Sequence, residues 1–438
     1  MAPRRQVAFL LALAALSLCY TADSAAAARR VRKELRQLSP SEYKLFIQGL
    51  ATLSTVPTPA GKIIFGPLYL DYTEFVVRHS VAYHDPRGDQ GHIGPCLMTF
   101  HRALMLEFEN VLLSVVPGLK AMPYWDFTLD GPGGKYFNTS QYIFTEKYAG
   151  NKGGDPKTNY TVTNGAFGWR PVEKFQRQRF PQYESIYNGS RTTGLLRGWV
   201  NSVDNPYVTR FPWGTNRAYN PTQMPWAALS PAMVKIMKDA SDANTLYNFT
   251  TADYDRCLNA SAIKSVNQWN YCADLSTVTT APNPMEALGF ASQFGISPLM
   301  HASAHFATGG LLDSLMDAGD LSDTSTSPHD ILIFMAQHAN IDRNALMWQA
   351  NLQAANRKVA GKSVMWGYPA TKAQYPTAVD GCLLHDPINS AAKFAELIPG
   401  RSKPNGYTHF DVLDLTRPDN IPYTYDNVYG ALKTKFKH

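Results

Sequence analysis

The chain has 438 residues, of which 45% are hydrophobic, 12% aromatic and only 17% charged. That is enough apolar material for a large core, and the low charge excludes a disordered chain. Lys and Arg number 41 against 35 Asp and Glu, a net charge of +6 with no long basic run; nucleic acid is excluded as a partner, because phosphate binding needs clustered cations.

The N-terminus reads as a secretory signal over residues 1–28. Arg4 and Arg5 form the positive flank, Val7 to Leu18 the apolar run, and Ala22 to Ala28 the small residues that a signal peptidase accepts. The run falls short of the ~20 residues of a membrane-spanning helix, and no later stretch reaches that length, so no membrane association is expected after cleavage. Once Cys19 leaves with the signal, Cys96, Cys257, Cys272 and Cys382 remain. Four cysteines allow three pairings. Cys257 with Cys272 is the expected bridge, and closing its loop contributes roughly 3 kcal/mol. Asn138, Asn159, Asn188, Asn248 and Asn259 each begin an N-glycosylation tripeptide, which is in keeping with export.

From Val31 to Val116 the text is helical. Leu38-Ser39-Pro40-Ser41-Glu42 reads as a helix start, with Pro just inside and an acid in the first turn. Tyr69 to Tyr83 and Leu97 to Val115 carry apolar residues at three- and four-residue intervals. Gly131 to Asn283 changes to Gly, Pro, Asn, Ser and Tyr, an irregular connection packed over the helices by its aromatic rings. Helical text returns from Ile296 to Ala307 and from Asp330 to Asn356, and the tail from Lys372 to Tyr425 holds short β-like pieces. There is no internal repeat and no Pro-rich linker, so residues 29–438 are expected to form one domain.

The 11 histidines are unevenly spread. His79, His84, His92 and His101 form one group; His301, His305, His329 and His338 form another. His301 and His305, at i and i+4, project from one helix face and can share a metal. His101 and His338 each lie inside a strongly apolar helix, where an imidazole needs a reason to be buried. Ala302 follows His301, where a zinc-protease helix requires Glu. Ligation by imidazole alone suits copper and leaves zinc open. The Glu-x-x-His pairs of a di-iron bundle are missing.

The run Gly91-His92-Ile93-Gly94-Pro95-Cys96-Leu97-Met98-Thr99-Phe100-His101-Arg102 resembles the first copper signature of the tyrosinases, a type 3 copper family. Tyr72-Thr73-Glu74-Phe75-Val76-Val77-Arg78-His79 is similar to the segment upstream of it, and Pro123-Tyr124-Trp125-Asp126 to the block that follows. His301-x-x-x-His305, Ser327-Pro328-His329-Asp330 and His338-Ala339-Asn340-Ile341-Asp342-Arg343 resemble the second copper signature. Tyr423-Thr424-Tyr425 resembles the tyrosine motif that closes the family's central domain.

The resemblance implies a mainly α fold: a four-helix bundle around a dicopper centre, with long irregular loops and minor β. It implies one copper on His79, His92 and His101 and another on His301, His305 and His338, with O2 as co-substrate and small phenols as substrates. The Glu-Phe-Val-x-x-His context favours His79 over His84, and His329 falls where the family usually has Asn. Phe334, one turn before His338, is expected against the ligand rings, and Phe306 beside the pocket. Arg102 and Asp342 are placed to tie two helices together.

The chain departs from the family pattern in places. Ala302 replaces an Asn that in many tyrosinases helps hold a phenol-activating water. Gln90 replaces a cysteine that in some members forms a thioether. Gln337 replaces the first histidine of a His-His pair. The chain ends soon after Tyr425, so the shielding domain of latent members is expected to be missing. The implied activity is oxidation of catechols to o-quinones, with weaker hydroxylation of monophenols. A hemocyanin-like oxygen carrier and an o-aminophenol oxidase are the alternatives.

Overall fold

The computed structural model describes residues 29–151 (apart from 84, 86, 93 and 132), 156–158, 161–171, 178–183, 207–208, 250–273, 300, 301, 304, 308, 330–355, 365–374, 380–388, 393–394 and 396–435. The signal-like segment, His84, Ala302, His305, Phe306 and His329 lie outside the described residues.

The first regular element is a strand, β1 (Arg30–Arg32), although the text there reads as helical. It pairs in parallel with β2 (Tyr423–Tyr425), Arg30 opposite Tyr423 and Arg32 opposite Tyr425. This pairing decides the local structure, because it buries the Arg32 guanidinium against the Tyr423 ring, 3.6 Å from its centroid.

Helix α1 (Pro40–Thr55) starts as its sequence predicts: Ser39 caps the Glu42 N–H and Glu42 reaches back to the Ser39 N–H. Phe46, Leu50 and Leu53, one apolar stripe, are buried. Helix α2 (Thr58–Phe65) is short. Helix α3 (Tyr72–Tyr83) begins three residues later than the periodicity predicts. The residue before it, Asp71, accepts from the Thr58 N–H at 2.8 Å and the Thr58 hydroxyl at 3.0 Å, which ties the start of α3 to α2.

Helix α4 (Cys96–Val115) is buried on every side from Cys96 to Leu112. A helix buried all round belongs at the centre of a fold; α1 packs on it, and Tyr72 and Phe75 of α3 meet its Phe108 edge-on. Two short helices, α5 (Thr251–Arg256) and α6 (Val266–Ala273), interrupt the segment read as irregular. Met300, His301, Ala304 and Thr308 are helical. Helix α7 (Phe334–Ala355) is the second central helix, buried almost throughout, and packs on α4. Trp125 N–H donates to Ala336 O at 2.9 Å, and Arg343 pairs with Asp126 at 3.0 Å, so the Pro-Tyr-Trp-Asp block braces this helix.

The tail holds helix α8 (His409–Leu415), a helix where β-like pieces are predicted, and α9 (Ala431–Lys435). A reciprocal cap between Thr408 and Asp411 starts α8. Sheet is confined to β1 and β2 among the described residues, so the mainly α class with minor β holds.

Two disulfides form. Cys257–Cys272 is the expected one, and Cys96–Cys382 joins the start of α4 to a loop 286 residues away. Beside the second, His409 is fully buried. Its Nε2 faces the Gly381 carbonyl at 2.9 Å, so Nε2 carries the proton and Nδ1 accepts from the Thr99 hydroxyl at 2.6 Å. Burial pushes this imidazole down to about 4.

The unfolded chain binds that proton near pH 6.5, while the folded protein refuses it until about pH 4. Stability is therefore lost as pH falls through this window, by about 3 kcal/mol in all, and levels off below it. Between pH 7 and 4.5 the unfolding free energy of His409→Gln should fall less steeply than that of the natural protein. Equal slopes in denaturant titrations would contradict the assignment.

Candidate metal centre

His79 sits in the last turns of α3, His92 on the loop between α3 and α4, His101 in the second turn of α4, and His338 in the second turn of α7. His301 comes from the helical residues around 301. The loop must double back to bring His92 over the helices. Gln90 N–H donates to Ala82 O at 2.8 Å, and Gly91 passes so close to Phe100 that a Cβ would lie 3.2 Å from its ring. Gly94, at φ +61°, then turns the chain into α4.

These five histidines are all buried, and their rings lie against one another. His92 Nε2 lies 2.9 Å from His79 Nε2, and His301 Nε2 lies 3.0 Å from His338 Nε2. The rings of His101 and His338 stack at 4.2 Å, nearly parallel, and so join the two groups. One ligating nitrogen from each of His79, His92 and His101 falls within 4.8 Å of the others.

The tautomers follow from the other ring nitrogens. His101 Nδ1 faces Leu97 O at 3.0 Å, and His338 Nδ1 faces Phe334 O at 2.9 Å. A carbonyl can only accept, so each Nδ1 carries the proton and each Nε2 presents a lone pair. His101 Nε2 is buried and has no hydrogen-bond partner among the described residues. Burial and the neighbouring imidazoles hold His101 and His338 well below the usual histidine range, so both rings are neutral. The Nε2 atoms of His79 and His92, and of His301 and His338, lie about 3 Å apart, the spacing of two nitrogens that each sit ~2.0 Å from one ion, so the cluster is suited to hold a metal. Imidazole without thiolate fits copper.

The surrounding residues hold this array. Phe334 packs edge-on against His79 at 5.0 Å and lies 4.4 Å from the His338 ring. Asp342, one turn beyond His338, accepts from Arg102 Nε at 2.5 Å, Tyr423 OH at 2.6 Å and Tyr425 OH at 2.7 Å, with Arg32 at 3.4 Å. Burial opposes its charge, but Arg102 and Arg32 outweigh burial and keep the carboxyl below its ordinary range. Arg102 follows His101 in α4, so this pair bolts together the helices that carry His101 and His338. Arg32 also pairs with Glu109 at 3.0 Å.

Asp89 escaped the sequence reading. Its carboxylate accepts from the Gly91 and His92 N–H groups at 2.7 and 2.8 Å, and both oxygens lie 3.1 Å from His92 Nδ1. An acid three residues before a loop histidine is the only signal in the text, and many surface turns share it.

Fold and site together define a mainly helical protein with a buried histidine cluster suited to hold a metal. The common central domain of tyrosinase matches residues 69–351. The chain belongs to the tyrosinase family. A tyrosinase of Aspergillus flavus is 27% identical over 138 residues, 31% of this chain and 34% of that protein. A tyrosinase of Streptomyces glaucescens is 31% identical over 103 residues, 23% of this chain and 32% of that protein. The chain thus spans about a third of the length of these curated relatives. A polyphenol oxidase structure from Thermothelomyces thermophila shares the fold at TM-score 0.50 and 18% identity, covering 97% of this chain and 94% of that one. The family implies a dicopper centre, and the His79–His92–His101 triad is suited to hold a metal.

Proposed function

We propose that this protein is a secreted polyphenol oxidase that oxidises o-diphenols to o-quinones with O2. One copper sits on His79, His92 and His101, and a second on His301, His305 and His338. The observation that carries the reading is the convergence of five buried histidines, with neutral rings at His101 and His338 and Nε2 contacts of 2.9 and 3.0 Å. The copper pair, when bound, supplies two-electron exchange with O2. Two catechols and one O2 give two quinones and two waters. Phe334 covers one side of the His79 and His338 rings and limits water there. Arg102 and Asp342 hold the helices that set the ligand spacing.

Export is supported by the signal-like segment and by two disulfides, which persist in oxidising compartments. Residues 29–438 then form the mature central domain. Asn138 and Asn259 are exposed and available for glycosylation. No described helix is long and apolar enough to cross a membrane.

Ala302 shapes the substrate preference. A phenol with pKa ~10 costs about 4 kcal/mol to ionise at pH 7, and a methyl group cannot orient a water to assist. Catechol is more acidic and chelates, so it depends less on a base. Initial rates on a matched pair should show diphenol oxidation outpacing monophenol hydroxylation, with Ala302→Asn narrowing the gap. Equal rates in the natural protein would reject this role for position 302. Absence of quinone formation from catechol by the copper-loaded protein would reject the oxidase and leave an oxygen carrier.

A further inference from the structure

The Nδ1 contacts described for the proposed ligands are not equivalent. Those of His101 and His338 end on the neutral carbonyls of Leu97 and Phe334. That of His92 ends on a carboxylate, with both Asp89 oxygens at 3.1 Å. Asp89 is itself buried, and its backbone contacts to Gly91 and His92 set the turn that presents the imidazole. The turn is anchored on both sides. Gln90 Nε2 donates to the Asp380 carbonyl, and the Cys96–Cys382 bridge closes the segment onto the same loop.

We infer that Asp89 is a positioning residue that tunes the first metal position through His92. It fixes His92 as the Nδ1–H tautomer, turns its Nε2 lone pair toward His79, and places a negative charge behind one ligand of the first position. A carboxylate behind a ligating imidazole raises the basicity of the ring. It also favours the more highly charged ion, and so shifts the first position toward Cu(II) over Cu(I).

The inference rests on the dicopper reading, and the test separates the two. The full-length protein and Asp89→Asn are titrated with Cu(II), and anaerobically with Cu(I), against a competing chelator. Asparagine keeps one oxygen for the turn and removes the charge. The natural protein should take two ions. The variant should hold one ion as before and lose 10- to 100-fold in Cu(II) affinity for the other, with a smaller loss for Cu(I) and hence a higher reduction potential at one position. Equal losses for both oxidation states, or none, overturn the electronic role. A natural protein that binds no copper overturns the dicopper reading instead, along with what rests on it. Folding of the variant is not required for a second test: 15N-histidine NMR of the natural protein loaded with Cu(I) should show His92 as the Nδ1–H tautomer. An Nε2–H tautomer there overturns the inference.

Discussion

Replacing His101 by alanine is expected to abolish quinone formation and to lower bound copper from about two ions per chain to one or fewer, while the copper-free protein keeps its fold. The two effects separate because His101 contributes little to packing that alanine would forfeit without return. Its Nε2 is buried with no partner among the described residues, and a lone buried polar atom costs about 1–3 kcal/mol. Removing it offsets much of the cavity left under the stacked His338 ring. Metal analysis after gel filtration, circular dichroism and a catechol assay together decide the matter. His338→Ala should behave alike, since its Nδ1 also meets the carbonyl four residues back and its basicity is also depressed by burial. Full activity in either variant would remove that histidine from the ligand set. A variant that unfolds without copper would make the residue structural.

The second large effect is expected at Asp342. Asp342→Ala leaves the Arg102 guanidinium, fully buried between α4 and α7, without its carboxylate, and takes the shared acceptor from Tyr423 and Tyr425. Breaking a buried ion pair from one side costs about 3–5 kcal/mol, because the remaining charge is stranded. The Arg32–Glu109 pair stays intact and retains part of the β1 contact. Denaturant unfolding of the copper-free protein should show the loss directly, and copper should bind more weakly, because the helices that carry His101 and His338 are no longer bolted together. A change below about 1 kcal/mol would mean that Arg102 finds another anion or water when Asp342 is gone.

The long apolar helices, the histidines and the start of α1 were readable from residue order, because each depends on contacts within a few turns. Ser39 and Glu42 cap their own helix, and the apolar periodicity of α3, α4 and α7 reflects one face or all faces buried. The clustering of histidines was also legible, and the fold brings His79, His92, His101, His301 and His338 together; the choice of ligands among them came from the family resemblance. Short helices escaped: α5 and α8 run 6 and 7 residues, too few turns to establish a period. Their Thr250–Asp253 and Thr408–Asp411 caps are visible only to a reader already looking for a helix there.

Other features are set by tertiary structure alone. Arg30–Arg32 reads as the start of helical text, yet becomes a strand because Tyr423–Tyr425 lies beside it, about 390 residues along the chain. The expected Cys257–Cys272 bridge leaves Cys96 and Cys382, but only the fold brings their Cα atoms to 5.5 Å across 286 residues. Asp89 and Asp342 are ordinary acids in the text. Their importance comes from which groups the fold leaves facing them, an imidazole Nδ1 in one case and two arginines with two tyrosines in the other. Local order records propensities and spacing within a segment. It does not record which distant charge a buried group meets once water is excluded, and in this protein those meetings set the tautomer and spacing of the clustered histidines.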